Sequence, residues 1–133
     1  AGWQRAKADF INYKKDEEKH KEEFAKFAAK NLLWDLLYVM DSVEIALKHT
    51  KDLGVEEIKK QFLEILRRHG VEEIESAEGK QLDPAEHESV AEQEVKEENL
   101  DGTIVEELQK GYKLFNRVLR PSKVKVGVYK IKD

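Results

Sequence analysis

Four histidines, His20, His49, His69 and His87, are the residues best suited to hold a metal or move a proton near neutral pH. They are scattered, and no HxH or HExxH spacing joins any two, so no metal site is expected. Cysteine is absent, which removes thiolate ligands, a thiol nucleophile and any disulfide frame. His87-Glu88 offers one acid–base pair, but a lone pair beside a turn reads as structural, and Asp83-Pro84 reads as that turn. No P-loop, GxGxxG or GxSxG motif occurs. Trp3, Phe10 and Tyr13 could stack on nucleobases, yet their heptad spacing points to a helix seam. No catalytic constellation can be assembled, so an enzyme is not expected and no cofactor is called for. What remains is recognition chemistry by surface side chains.

Charge is unevenly distributed along the chain. The net charge is −4 over 133 residues, and charged residues make up 39%. Residues 1–70 are near neutral, residues 71–107 carry 14 acidic and 2 basic side chains, and residues 108–133 carry 8 basic and 1 acidic. A basic strand set could contact nucleic acid. The acidic segment beside it favours the other reading, two strands of one sheet whose charges neutralise each other, and no nucleic acid partner is expected. A mean hydropathy of −0.72 is polar for a compact monomer. It suits long solvated helices, or a chain that completes its core by pairing. The longest apolar stretches are too short to cross a bilayer, so no membrane partner is expected. The first residue, Ala1, already lies inside a helical pattern, and residues upstream of it are expected.

The elements that must position these residues fall into three parts. Residues 1–30 read as one long helix. Trp3, Ala6, Phe10, Tyr13, Glu17, His20, Phe24 and Phe27 alternate three and four apart, a heptad stripe interrupted by Glu17 and His20. Such a stripe with no local partner must be buried against another chain or fray. Residues 31–70 read as a helical hairpin. Leu32, Leu33, Leu36, Leu37, Val39, Met40, Val43, Ile45, Ala46 and Leu47 mark its first helix, and Val55, Ile58, Phe62, Ile65 and Leu66 its second. The break lies at His49–Gly54, and Gly70 closes the second helix behind Arg67, Arg68 and His69. Two such hairpins would form a four-helix bundle in a dimer. Trp3, Phe10, Tyr13, Phe24, Phe27, Leu36, Val39 and Met40 are the expected dimerisation residues. From Val71 the period shortens. Turn signals at Glu78-Gly79, Leu82-Asp83-Pro84 and Asp101-Gly102 separate strand-like runs at His87–Val95, Thr103–Leu108 and Val124–Val128. Residues 71–133 therefore read as a small antiparallel β domain, and the fold class as α+β.

Several blocks resemble the GrpE family. Ala8-Asp9-Phe10-Ile11-Asn12-Tyr13-Lys14-Lys15 is similar to its ADFxNYRKR stretch, and Leu36 to Leu47 to its LLPVxDxLxxAL. Gly70-Val71-Glu72-Glu73-Ile74 corresponds to GVxxI, and Leu82-Asp83-Pro84 with His87-Glu88 and Val90 to FDPxxHEAV. Most specific is the run from Gly102 through Gln109-Lys110-Gly111-Tyr112 and Arg117-Val118-Leu119-Arg120-Pro121 to Val126, which resembles GTVxxVxQKGYxLxGRVLRPAxVxV. Two departures carry structural consequences. Tyr38 replaces a frequent Pro, which predicts a milder kink between the long helix and the bundle. Asn116 replaces a Gly, which predicts a conserved turn shape with strain at Phe115.

The resemblance implies a homodimeric nucleotide exchange factor. It implies paired long helices that sense temperature, a four-helix bundle, and a β domain that opens the nucleotide-binding domain of a DnaK-class chaperone so that ADP leaves. It places partner contacts at Arg117, Leu108, Val126 and Gly54. From the residues alone, Arg117 is a solvated cation, Leu108 and Val126 are core, and Gly54 is a helix-break glycine. A coiled-coil adaptor with a protein-binding β domain and no exchange activity is the alternative. Bacterial cytoplasm is the expected location, ahead of an organelle matrix.

Overall fold

The computed structural model describes residues 2–131. Helix α1 runs Gly2–Phe27, α2 Lys30–His49 and α3 Leu53–Arg68. Six strands follow: β1 Val71–Glu73, β2 His87–Val95, β3 Ile104–Gln109, β4 Tyr112–Leu114, β5 Arg117–Arg120 and β6 Ser122–Tyr129. The fold is α+β, as its periodicity predicts. Among the described residues, no helix is long and apolar enough to cross a membrane.

The helical path breaks at Ala28-Ala29, and the Leu33 N–H picks the ladder up again by donating to the Ala29 carbonyl at 2.9 Å. Helix α2 then passes Tyr38 without interruption, because Tyr, unlike Pro, keeps its N–H in the ladder. Between α2 and α3, Asp52 is the N-cap. Its carboxylate accepts from the Gly54 N–H at 2.7 Å and the Val55 N–H at 3.4 Å, satisfying two donors that the first turn of α3 leaves open. Gly54 therefore sits inside the first helical turn rather than in the break. At the other end, Gly70 adopts φ +88°, and its N–H closes on the Arg67 carbonyl at 3.0 Å. A Glu44–Lys59 ion pair of 2.9 Å ties α2 to α3.

Two three-stranded sheets follow the hairpin, in the orders β1-β4-β5 and β2-β6-β3. The first is antiparallel throughout. The second is mixed: β3 pairs β6 antiparallel, but β2 pairs β6 parallel from His87↔Ser122 to Val95↔Tyr129. The expectation of an antiparallel domain is corrected at this one pairing. Strands β3, β4 and β5 form the crossover that a parallel neighbour needs, and strand periodicity carries no sign of direction. The opposite charges of the two segments do meet here. Glu88 lies across from Lys123, Lys125 reaches Glu106 at 3.5 Å, and Lys113 pairs with Glu86.

The main core joins the hairpin to the first sheet. Leu33, Leu37 and Met40 of α2, Leu66 of α3, Val71 of β1, and Tyr112 and Leu114 of β4 form one buried cluster. Met40 is thus enclosed by its own protomer at 0% exposure. Helix α1 contributes no buried residue at all. Trp3, Phe10, Tyr13 and Phe24 are 73%, 57%, 61% and 76% exposed, while Leu36 and Phe27 are half-buried and Val39 is exposed.

Candidate functional site

Arg117 opens β5 directly behind the turn at Phe115-Asn116, where both residues have positive φ, 46° and 68°. That backbone matches the twist of a two-residue hairpin, and it strains Phe115, which lacks the tolerance of Asn for this region. The strain is offset by packing. The Phe115 N–H donates to the Gly70 carbonyl at 3.0 Å, and its ring fills the space that any side chain at Gly70 would need. Arg117 extends from this tip over helix α1. Its guanidinium carbon lies 4.3 Å from the Phe27 ring centroid, and Nη2 is 3.8 Å from Glu23 Oε1. The side chain is still 64% exposed.

Leu108 stands at the end of β3, 41% exposed, beside a shallow groove formed with Asp41, Glu44, Ile45 and Lys48 of α2. Val126 is half-buried on the central strand β6, opposite Ile104 of β3 and Glu92 of β2. Gly54 is exposed at the start of α3, where an added Cβ would stand 3.1 Å from the capping Asp52 Oδ1. Leu108 and Val126 therefore share one sheet, Arg117 belongs to the other, and Gly54 lies on the hairpin. The four are spread over a surface rather than gathered in one cleft. That distribution suits contact with a large partner and not the enclosure of a small substrate.

Beneath the groove lies a polar junction that the residue-by-residue reading missed. Arg120 donates to both Asp41 oxygens, Nη1 at 2.7 Å and Nη2 at 2.5 Å. Its Nε donates to the Lys110 carbonyl at 2.9 Å, and Gln109 Nε2 donates to Asp41 Oδ2 at 3.0 Å. Lys110 pairs with Glu73 at 2.6 Å. Burial alone would lower the Lys110 pKa. The Glu73 hydrogen bond and the carboxylates of Glu73, Glu107 and Glu44 outweigh it and hold the ammonium above the usual lysine range. Tyr112, fully buried against Arg120, has its phenol pushed well above the usual value, first by burial and then by Glu73 and Glu44. These groups lock the β domain onto α2. A signal for them was present: Asp41 falls four residues after Leu37, on the core face of its helix.

His87 is equally structural. Its Nδ1 accepts from the Asp83 N–H at 3.0 Å, and its Nε2 lies 2.8 Å from the Glu75 carbonyl. Both ring nitrogens are occupied, and the ring pins the Asp83-Pro84 turn. No group of three or more His, Asp or Glu among the described residues is arranged to hold a metal ion.

The arrangement is thus a β domain braced onto α2 and carried by helices with an unburied apolar stripe. Comparison with known proteins identifies the architecture. The profile of the GrpE family matches residues 1–128, nearly the whole chain. The chain belongs to the GrpE family. The GrpE proteins of Bacillus cereus strain AH820 and Bacillus anthracis are each 44% identical to it over 131 residues, covering 92% of this chain and 69% of theirs. The GrpE protein of Bacillus cytotoxicus is 45% identical, covering 92% of this chain and 65% of its own length. GrpE membership makes the chain a co-chaperone of the nucleotide exchange class, acting with a DnaK partner, and not an enzyme in itself. The adaptor reading without exchange activity is not favoured.

Proposed function

We propose that this GrpE chain works as a homodimer whose β domain binds the nucleotide-binding domain of a DnaK-class chaperone and opens it, so that ADP leaves and ATP enters. The observation that carries this reading is the GrpE match over residues 1–128. The exposed stripe of Trp3, Phe10, Tyr13 and Phe24 supports the dimer, because a helix with no buried residue gains little from its own protomer. Leu36, Val39 and the exposed Ile58 and Ile65 supply the bundle face. The chain divides by role into the dimerising helix 1–30, the hairpin 31–70 and the β domain 71–133. Arg117, Leu108, Val126 and Gly54 contact the chaperone. Bacterial cytoplasm is the proposed compartment, in keeping with the bacterial relatives.

The mechanism needs no bond chemistry. The β domain binds the open form of the chaperone more tightly than the closed form, and nucleotide binds the closed form more tightly. Each ~1.4 kcal/mol of this coupling weakens ADP binding about tenfold, and nucleotide weakens the exchange factor by the same factor. Glu17 and His20 interrupt the apolar seam, which makes the long helix the first part to loosen on heating and turns exchange down.

Stopped-flow release of a fluorescent ADP analogue from a DnaK nucleotide-binding domain tests the reading. The parent chain should accelerate release. Arg117→Ala should lose about thirtyfold in affinity, the loss of roughly 2 kcal/mol typical of a desolvated contact, with dimer mass and melting nearly unchanged. Lys130→Ala should behave like the parent. An Arg117→Ala chain that exchanges ADP as well as the parent would move the contact elsewhere.

A further inference from the structure

The Arg117 side chain is oriented by more than its weak approach to Glu23. Its guanidinium carbon sits 4.3 Å from the ring centroid of Phe27, the last residue of α1. One side of Phe27 packs against the main core. Its ring also meets Phe115 nearly edge-on, with centroids 6.2 Å apart and planes at 80°. Phe115 in turn is held in its left-handed backbone by the Gly70 carbonyl and by the space that Gly70 leaves. The platform under Arg117 is therefore built from three places: the end of α1, the glycine closing α3, and the β4–β5 turn.

A guanidinium held over an aromatic ring by its charge keeps N–H donors for a further partner. Among the described residues those donors meet Glu23 alone, at 3.8 Å, and the side chain remains mostly in solvent. A free arginine must surrender rotamer freedom when it docks, whereas a stacked one has already surrendered much of it. Resting on Arg117 as the chaperone contact, we propose that Phe27 is a positioning residue. It presents the Arg117 fork to a carboxylate of the partner, and it ties the end of the long helix to the contact surface of the β domain. Phe27 thereby serves the contact from within its own protomer, a role separate from any place in a dimer seam.

A double-mutant cycle on the whole chain tests this, with affinity for the nucleotide-free DnaK nucleotide-binding domain as the readout. Phe27→Leu should weaken binding about threefold, the scale of one exposed cation–π contact or one pre-ordered side chain. Phe27→Tyr, which keeps the ring, should restore parental affinity. In an Arg117→Ala background, Phe27→Leu should change nothing further, since its effect passes through the missing guanidinium. Equal losses in both backgrounds would mean that Phe27 acts by general structure, and the proposal fails. Tighter binding by Phe27→Leu would mean that the stack sequesters Arg117, and the proposal fails in the opposite direction. If Arg117→Ala alone binds like the parent, the contact assignment falls and this inference with it. A normal Arg117 dependence with no Phe27 dependence overturns this inference alone. Should Phe27→Leu disturb folding, the side-chain proton shifts of Arg117 in the parent decide. Upfield ring-current shifts that persist in Phe27→Tyr are expected, and free-arginine shifts would refute the stack.

Discussion

Helices α1 and α2 follow each other through a two-residue break, yet their surroundings are opposite. Over 26 residues α1 buries nothing, while α2 sinks Leu33, Leu37 and Met40 beneath the sheet formed by β1, β4 and β5. Both carry bulky apolar side chains at helical spacing. The difference lies in what the chain itself supplies to cover them. The fold brings Leu66, Val71, Tyr112 and Leu114 onto α2 and brings nothing comparable onto α1 before its last turn, where Phe27 meets Phe115 and Arg117. Amphipathicity thus marks a surface that needs covering, without saying whether the cover comes from the same chain or a second one.

Five measurements would break or sharpen that contrast. The largest effect is expected in the α2 core. Leu37→Ala removes a fully buried side chain and should cost roughly 2–5 kcal/mol of β-domain and hairpin stability, read by urea unfolding. A loss below about 1 kcal/mol would place Leu37 outside the cooperative core.

Next comes the junction between α2 and the sheet. Asp41→Ala strands the mostly buried Arg120 guanidinium, and removing one partner of such a pair costs about 3 kcal/mol. Arg120→Met in the same background should recover part of the loss, because the unpaired charge is then gone.

The third effect is set by pH. The Tyr112 phenol is raised above its ordinary value of 10.0, and the Lys110 ammonium above its value of 10.5. Both groups hold their proton more tightly folded than unfolded. Their contribution is complete below those unfolded values and is lost as pH climbs through the higher folded ones. Core stability should therefore fall above about pH 10, with a slope of at most about 1.4 kcal/mol per pH unit from Tyr112. Tyr112→Phe should flatten the Tyr112 part of the decline, and an unchanged slope would contradict it.

The smallest change in the core is expected from α1. Phe10→Ala should leave β-core melting within about 0.5 kcal/mol of the parent, while lowering the temperature at which helical circular dichroism is first lost. In the parent, that early loss should be reversible and should precede any change at the methyl groups of Ile104 and Val124, which report the β core. One coincident transition by both probes would mean that α1 and the β domain melt as a unit. Light scattering at micromolar concentration should give twice 15.5 kDa, and a monomer mass with high helicity would remove the second chain from the account of α1.

The sequence alone determined the α+β class, the three helices and the Gly70 stop, because each rests on local preference, period and capping, while the hairpin tip at Phe115-Asn116 was legible only through the resemblance to GrpE. It also determined the family, because the blocks from Ala8 to Val126 stand in order along the chain. Tertiary structure decided three things. Strand β2 runs parallel to β6, which alternation cannot reveal since a strand reads alike in both directions. Met40 turns into its own protomer while Val39 stays outside, a choice made by which neighbour the fold delivers to each face. Asp41 and Arg120, 79 positions apart, become one ion pair. Arg117, three residues before Arg120 in the same strand, finds Phe27 instead. Partners so distant in sequence leave no periodic trace, and only the closing of the chain brings them within reach.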